Sequence, residues 1–157
     1  MREILFRGKR IDNGEWVYGF YIGDIGDGCH EICDINSTTG HRVDVDPDTV
    51  GQYTGLKDKN GKRIFEWDIV KMSFEGTSRE YDGDFSEYSY EVDFDGHKIG
   101  VVTFGGYGAF LKVSRGELFM NGEKDEDWKP ARKSRLAAYR SEVIGNIYDN
   151  PELMEGS

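Results

Sequence analysis

The chain has little cysteine, little proline and no long apolar run, and each shortage excludes something. Two cysteines in 157 residues, Cys29 and Cys33, are too few for a disulfide scaffold. They also lack the second ligand pair of a structural zinc site, because His30, His41 and His97 are the only histidines. On a strand the two thiols would stand roughly 13 Å apart, too far to share a metal. They read as ordinary small buried thiols. No stretch approaches the roughly 18 apolar residues of a membrane span. The start, Met1-Arg-Glu-Ile-Leu-Phe-Arg-Gly-Lys-Arg10, has too short an apolar run for a secretory signal. The expectation is a protein of a reducing cytoplasm with no membrane partner.

Positive charge is short too. Lysine and arginine number 20 against 30 acids, a net charge of −10. Non-specific binding of nucleic acid rests on cations that displace counterions from phosphates, so the overall balance disfavours it without excluding a local basic strip. Catalytic patterns are also missing. No Ser or Cys sits in a nucleophile elbow, and the histidines lie in unlike contexts. Gly105-Gly106-Tyr107-Gly108 lacks the Lys-Ser or Lys-Thr and the helix of a phosphate loop. Asp44, Asp46 and Asp48 alternate like calcium ligands, but Thr49 and Gly55 stand where that loop needs Gly and Glu. The reading is a non-enzymatic protein with no catalytic residues, no metal site and no cofactor.

What the chain does have is aromatic side chains: 9 Tyr, 9 Phe and 3 Trp, which make up 13% of the residues. Each ring buries roughly 150–250 Å², enough for a globular core. At this length a compact fold hides roughly 68–70% of its unfolded surface and needs no cross-link.

Period-2 alternation dominates. Ile4 and Phe6, then Trp16, Tyr18 and Phe20, predict a hairpin over 3–22 with Asn13-Gly14 supplying the turn. A second hairpin is predicted from His30 to Val45, turning at Ser37–Gly40. A short strand follows at Val50–Thr54, and Asn60-Gly61 marks another turn. Val70, Met72 and Phe74 share one face of a central strand. Residues 75–97 carry eight acids against Arg79 alone, interleaved with Tyr81, Phe85, Tyr88, Tyr90, Val92 and Phe94. Of these, 88–94 alternate as a strand and the rest reads as an exposed loop. Strand character returns over Ile99–Val113, broken by the glycine-rich hairpin end, and again over Glu142–Tyr148. Gly122–Trp128 reads as an acidic loop. Pro130, Ala131, Leu136, Ala137 and Ala138 predict one short helix near 129–140. The fold class is mainly β, a small closed or partly open barrel.

Three blocks carry a family resemblance: Arg2-Glu-Ile-Leu-Phe-Arg7, Val50-Gly-Gln-Tyr-Thr-Gly-Leu-Lys-Asp-Lys-Asn-Gly-Lys-Arg-Ile-Phe-Glu-Trp-Asp-Ile-Val70, and Glu142-Val-Ile-Gly-Asn-Ile-Tyr-Asp-Asn-Pro-Glu-Leu153. In this order they resemble the YopX-like proteins of phages and prophages. The resemblance implies an SH3-type barrel in the later half, residues 48–153 with an acidic insertion at about 75–97. A β-rich N-terminal hairpin region, 1–47, precedes it and a tail, 154–157, follows. It also implies a phage or prophage setting and no established catalytic residues. One departure stands out, since the family usually has Gly where this chain has Trp67.

Two surfaces are candidates for binding. Exposed aromatics at the barrel mouth and the 105–108 hairpin, Tyr53, Phe104 and Tyr107, would contact an unknown host or phage protein, whereas Trp67 and Phe110 are expected in the core. The strip Lys129, Arg132, Lys133, Arg135 and Arg140 carries no acid and would contact phosphates or an acidic protein, or else neutralise the chain's own 75–97 or 123–127 acids. The leading expectation is a binding module. Nucleic-acid binding through Arg132, Lys133 and Arg135 is the alternative, as is an acidic mimic of DNA, and a homo-oligomer is left open.

Overall fold

The computed structural model describes residues 3–81 and 88–155. Asp82, Asp84, Phe85 and Glu87 of the acidic segment lie outside the described residues. So do Met1 and Arg2 at the start, and Gly156 and Ser157 of the tail. The described residues form twelve strands: β1 (Phe6–Lys9), β2 (Trp16–Ile22), β3 (Glu31–Asp34), β4 (Arg42–Asp44), β5 (Gly51–Lys57), β6 (Arg63–Phe65), β7 (Asp68–Tyr81), β8 (Ser89–Gly105), β9 (Gly108–Met120), β10 (Glu123–Lys124), β11 (Lys133–Arg135) and β12 (Ser141–Asn146). They form two sheets, ordered β4-β3-β2-β1-β5-β6 and β10-β9-β8-β7-β12, and β11 also pairs with β9. The fold is mainly β, with a sheet that curls into a half-barrel.

Both early hairpins form, but the first turns its other face inward: Leu5, Arg7 and Val17 are buried, whereas Ile4 and Phe20 of the expected face are exposed. In the first, Gly14 takes φ 74° and Asn13 accepts from the Glu15 N–H at 2.9 Å. Val17, Ile32, Val43 and Val45 are the inward positions of these strands and close a small core. The division at residue 47 does not separate the sheets, because β1 pairs with β5 and β5 with β6 inside the first. The three aspartates at 44, 46 and 48 form no cation loop. Asp46 instead caps a 3-10 turn at Pro47–Thr49 by accepting from the Asp48 N–H.

Two expectations are corrected. Within the acidic segment 89–94 is strand as expected, but 75–81, read as loop, is strand too: β7 and β8 stay paired from Ile69↔Val101 out to Tyr81↔Ser89. The reason is a mirrored pattern, Phe74-Glu75-Gly76 against Phe94-Asp95-Gly96. Phe74 pairs opposite Gly96 and Phe94 opposite Gly76. A Cβ on either glycine would fall 2.6 Å from the facing phenyl ring, so each ring lies over the bare backbone of the other strand. The hairpin therefore continues as an arm past the end of β9, which leaves β8 at Phe94↔Met120.

The helix predicted near 129–140 is also absent. Lys133–Arg135 is strand β11, and only a 3-10 turn at Ala138–Arg140 follows. A segment this short is marginal as a free helix. Here the unpaired edge of β9 offers backbone partners, and Leu136 drops into the core formed by Ile64, Val70, Met72, Val102 and Leu111. Tertiary pairing overrides propensity.

The three blocks that carry the resemblance converge where the sheets meet. Arg7 on β1 donates to Asp68 at the start of β7 at 2.7 Å, both being buried, and Asp68 also accepts from the Phe65 N–H at 2.8 Å. The Arg7 guanidinium lies 4.5 Å from the Trp16 ring centre and 4.9 Å from that of Phe65. From the end of the chain, Asp149 accepts from Lys9 and from the Trp16 indole. Asp58, in the β5–β6 turn, accepts from the N–H groups of Asn60, Lys62 and Val143, which stitches that turn to β12. Trp67 sits at the crossing with φ 74°, a conformation glycine adopts freely. Its N–H donates to Val102 and its carbonyl accepts from Ile147.

Candidate functional site

Strand β11 brings together the two surfaces that the sequence kept apart. It lies antiparallel on β9 with Lys133 opposite Lys112, Ser134 opposite Leu111 and Arg135 opposite Phe110. Opposite residues of a ladder project to the same side, and successive ones alternate. Ser134 therefore follows buried Leu111 inward. Phe110, Lys112, Lys133 and Arg135 share the outward face, and the Lys133 ammonium stands 5.0 Å from the Phe110 ring centre.

At the end of the β8–β9 hairpin Tyr107 projects fully into solvent, 109% exposed. Together with Leu56 across the cleft, Tyr107, Phe110, Lys133, Arg135 and the hairpin glycines line a groove of about 720 Å³. A second groove, of about 460 Å³, holds Lys129 and Arg132 of the basic strip, with Lys112 and Arg115, around Trp128. Arg132 fixes the strip by its backbone, since its carbonyl accepts from the Val113 N–H at 2.7 Å.

The electrostatics of this face are unbalanced. Like charges directly opposite in a ladder destabilise it, and Lys112 faces Lys133. Among the described residues none of Lys112, Lys129, Arg132, Lys133 and Arg135 has a carboxylate within ion-pair distance. Arg140, the last cation of the strip, instead lines a cavity with Glu75 and Asp95. Of the described acids in 75–97 and 123–127, Glu91 pairs with Arg79 and Glu126 with Lys124.

The remaining predicted residues lie apart. Tyr53 is not at a mouth but buried, packed with Leu5 and Phe65. Phe104 is half-buried one step before the hairpin turn, opposite Ala109. Trp67 and Phe110, expected in the core, are half-buried, and the Trp67 indole donates to Val50 at 3.1 Å. Cys33 is half-buried, but Cys29 is exposed ahead of β3 rather than buried. Asp27 and other nearby acids hold the Cys29 thiol above its ordinary pKa, which lowers its thiolate fraction.

One cross-strand row escapes a reading by sequence motif: Ser73 lies opposite His97, and His97 opposite Glu117. These are the residue types of a hydrolytic triad, yet no side-chain hydrogen bond joins any two of them. Burial and nearby Lys71 lower the His97 pKa, so the ring is neutral at pH 7. Nothing orients its tautomer, which a triad requires. No group of three or more His, Cys, Asp or Glu among the described residues is placed to hold a metal. No helix among them is long and apolar enough to cross a membrane.

The family model described as YopX protein matches residues 5–155, nearly the whole chain. No curated protein matches the chain.

Proposed function

We propose that this chain, which belongs to the YopX protein family, is a non-enzymatic binding module that holds an anionic partner on the outward face of β9 and β11. The carrying observation is the Lys112–Lys133 pair beside Arg135, Phe110 and Tyr107. Around these groups, among the described residues, the face holds no carboxylate, and the first acid along it, Glu117 of β9, is paired with Lys124. A like-charge pair costs stability in the free molecule and is relieved when a negative partner arrives. Tyr107, and Phe110 under its lysine, supply contact area beside the charges. In this reading the protein is a phage or prophage accessory factor of the host cytoplasm, as the resemblance suggests, and its partner is a protein.

Nucleic acid is the second reading, favoured by the same strip in its strand form, because phosphates also satisfy lysine and arginine. The net charge of −10 weighs against it. Affinity capture from host lysate separates the two, with nuclease-treated and untreated halves and with Lys133→Glu/Arg135→Glu beside the wild type. A protein recovered equally from both halves and lost with the variant supports the module. Recovery that vanishes with nuclease supports nucleic acid. Recovery by both proteins alike refutes the site.

A further inference from the structure

We infer that the anionic partner of the β9–β11 face is the acidic β7–β8 arm of a second copy of this chain. The inference rests on the binding-module reading above and names the occupant of that same face. The arm has the complementary chemistry. Its described part carries Glu75, Glu80, Glu91, Asp93 and Asp95 against Arg79. At its base, where Asp95 still pairs with Phe119 of β9, Glu75 lies directly opposite Asp95, the negative counterpart of Lys112 opposite Lys133. Each pair is unfavourable alone, and each would be relieved by the other. The arm also exposes Tyr81 at 65% and Tyr90 at 56%, contact area to set against Tyr107 and Leu56.

Distance makes the contact intermolecular. The two like-charge pairs lie along one strand, Asp95 six residues of β8 before Val101, which faces Lys112. At about 3.3 Å per residue that is about 20 Å of paired sheet, and the arm runs on away from the groove, so the two cannot meet within one molecule. Past Asp93 the arm is a two-stranded ribbon without support from β9, and such ribbons are marginal in water unless something packs on them. The contact joins unlike surfaces of two copies. It therefore propagates head to tail, either as an open chain or as a closed ring.

The test uses the purified full chain. Sedimentation velocity over a concentration series is run at ionic strengths of roughly 0.01 M and 1 M, where the screening length is about 30 Å and 3 Å. Association is expected at low salt and should weaken at least about tenfold at high salt. Two variants follow: a reversed groove, Lys112→Glu/Lys133→Glu/Arg135→Glu, and a reversed arm, Glu75→Lys/Glu80→Lys/Asp95→Lys. Each alone should be monomeric. An equimolar mixture should associate again, because the anionic groove of one meets the cationic arm of the other, and that rescue also shows that both variants fold. A wild type that stays monomeric at low salt overturns the inference. So does an association that survives either reversal, and so does a mixture that fails to reassociate. If the wild type is monomeric but still captures a protein that the reversed groove loses, the binding module stands and only the second copy is rejected.

Discussion

Replacing Arg7 by Met tests the junction on which the architecture depends. Arg7 is 5% exposed and Asp68 2%, joined at 2.7 Å, and Asp68 has one further donor, the Phe65 N–H. Removing one partner of such a pair leaves a buried charge and costs about 3–5 kcal/mol. For a chain of this length that corresponds to a fall in Tm of roughly 6–20 °C. The loss should depend on pH, with a definite sign. Burial already raises the Asp68 pKa above its ordinary 3.8, although Arg7 and the Phe65 N–H oppose the rise. Without Arg7 it rises further, so the folded variant takes up a proton more readily than the unfolded chain. An acid whose folded pKa is raised gains stability as pH falls through that value. The penalty of Arg7→Met, measured by urea unfolding, should therefore be largest near pH 7 and shrink towards about pH 5. Arg7→Met/Asp68→Asn removes the charge but keeps an acceptor for Phe65, and should recover more than half the loss. A penalty below about 1 kcal/mol near pH 7, the level of an exposed pair, would refute the reasoning. An equal penalty at both pH values would do the same.

Further expectations follow from single contacts. Trp67 has φ 74°, so Trp67→Gly should be more stable than Trp67→Ala by about 1 kcal/mol in urea, the reverse of the usual order, and equal stabilities would remove the strain argument. Lys9, the Trp16 indole and Asn146 hold the Asp149 carboxyl at about 2 against the desolvation that would raise it. Asp149 therefore contributes stability above the ordinary carboxyl value of 3.8 that is lost as pH falls through about 2, and Asp149→Ala should flatten the acid limb of the Tm–pH curve in that window. Lys133→Glu turns a like-charge pair with Lys112 into an opposite one. It should raise Tm slightly while abolishing capture of the partner, whereas a lower Tm would mean the strip serves the fold. Tyr107→Ala should leave Tm unchanged because the ring touches only solvent, and should weaken capture.

Much of the architecture was legible because strand alternation and turn chemistry are local. The residues of both N-terminal hairpins, the Asn60-Gly61 turn, the inward face of Val70 and Met72, and the break at Gly105–Gly108 each announce themselves within a few positions. The mirrored Phe-acid-Gly pattern at 74–76 and 94–96 was equally present in the sequence. Its meaning depends on two segments lying opposite each other, and the abundance of acids around it suggests a loop instead. Trp67 stands where the family usually has glycine, and the structure gives the reason through its positive φ.

The sequence by itself determined a mainly β chain, an aromatic core, a strong negative charge and one acid-free basic strip. These follow from composition and from short-range periodicity, which need no partner to be read. Only the tertiary structure decided that the strip is a strand rather than a helix, because the unpaired edge of β9 outbids the propensity of three alanines. It likewise decided that Tyr53 is buried while Tyr107 is bare, since exposure depends on what packs above a residue and not on the residue. The meeting of Lys133 with Lys112 and Phe110 was decided there too, by a register that joins segments some twenty residues apart in the chain.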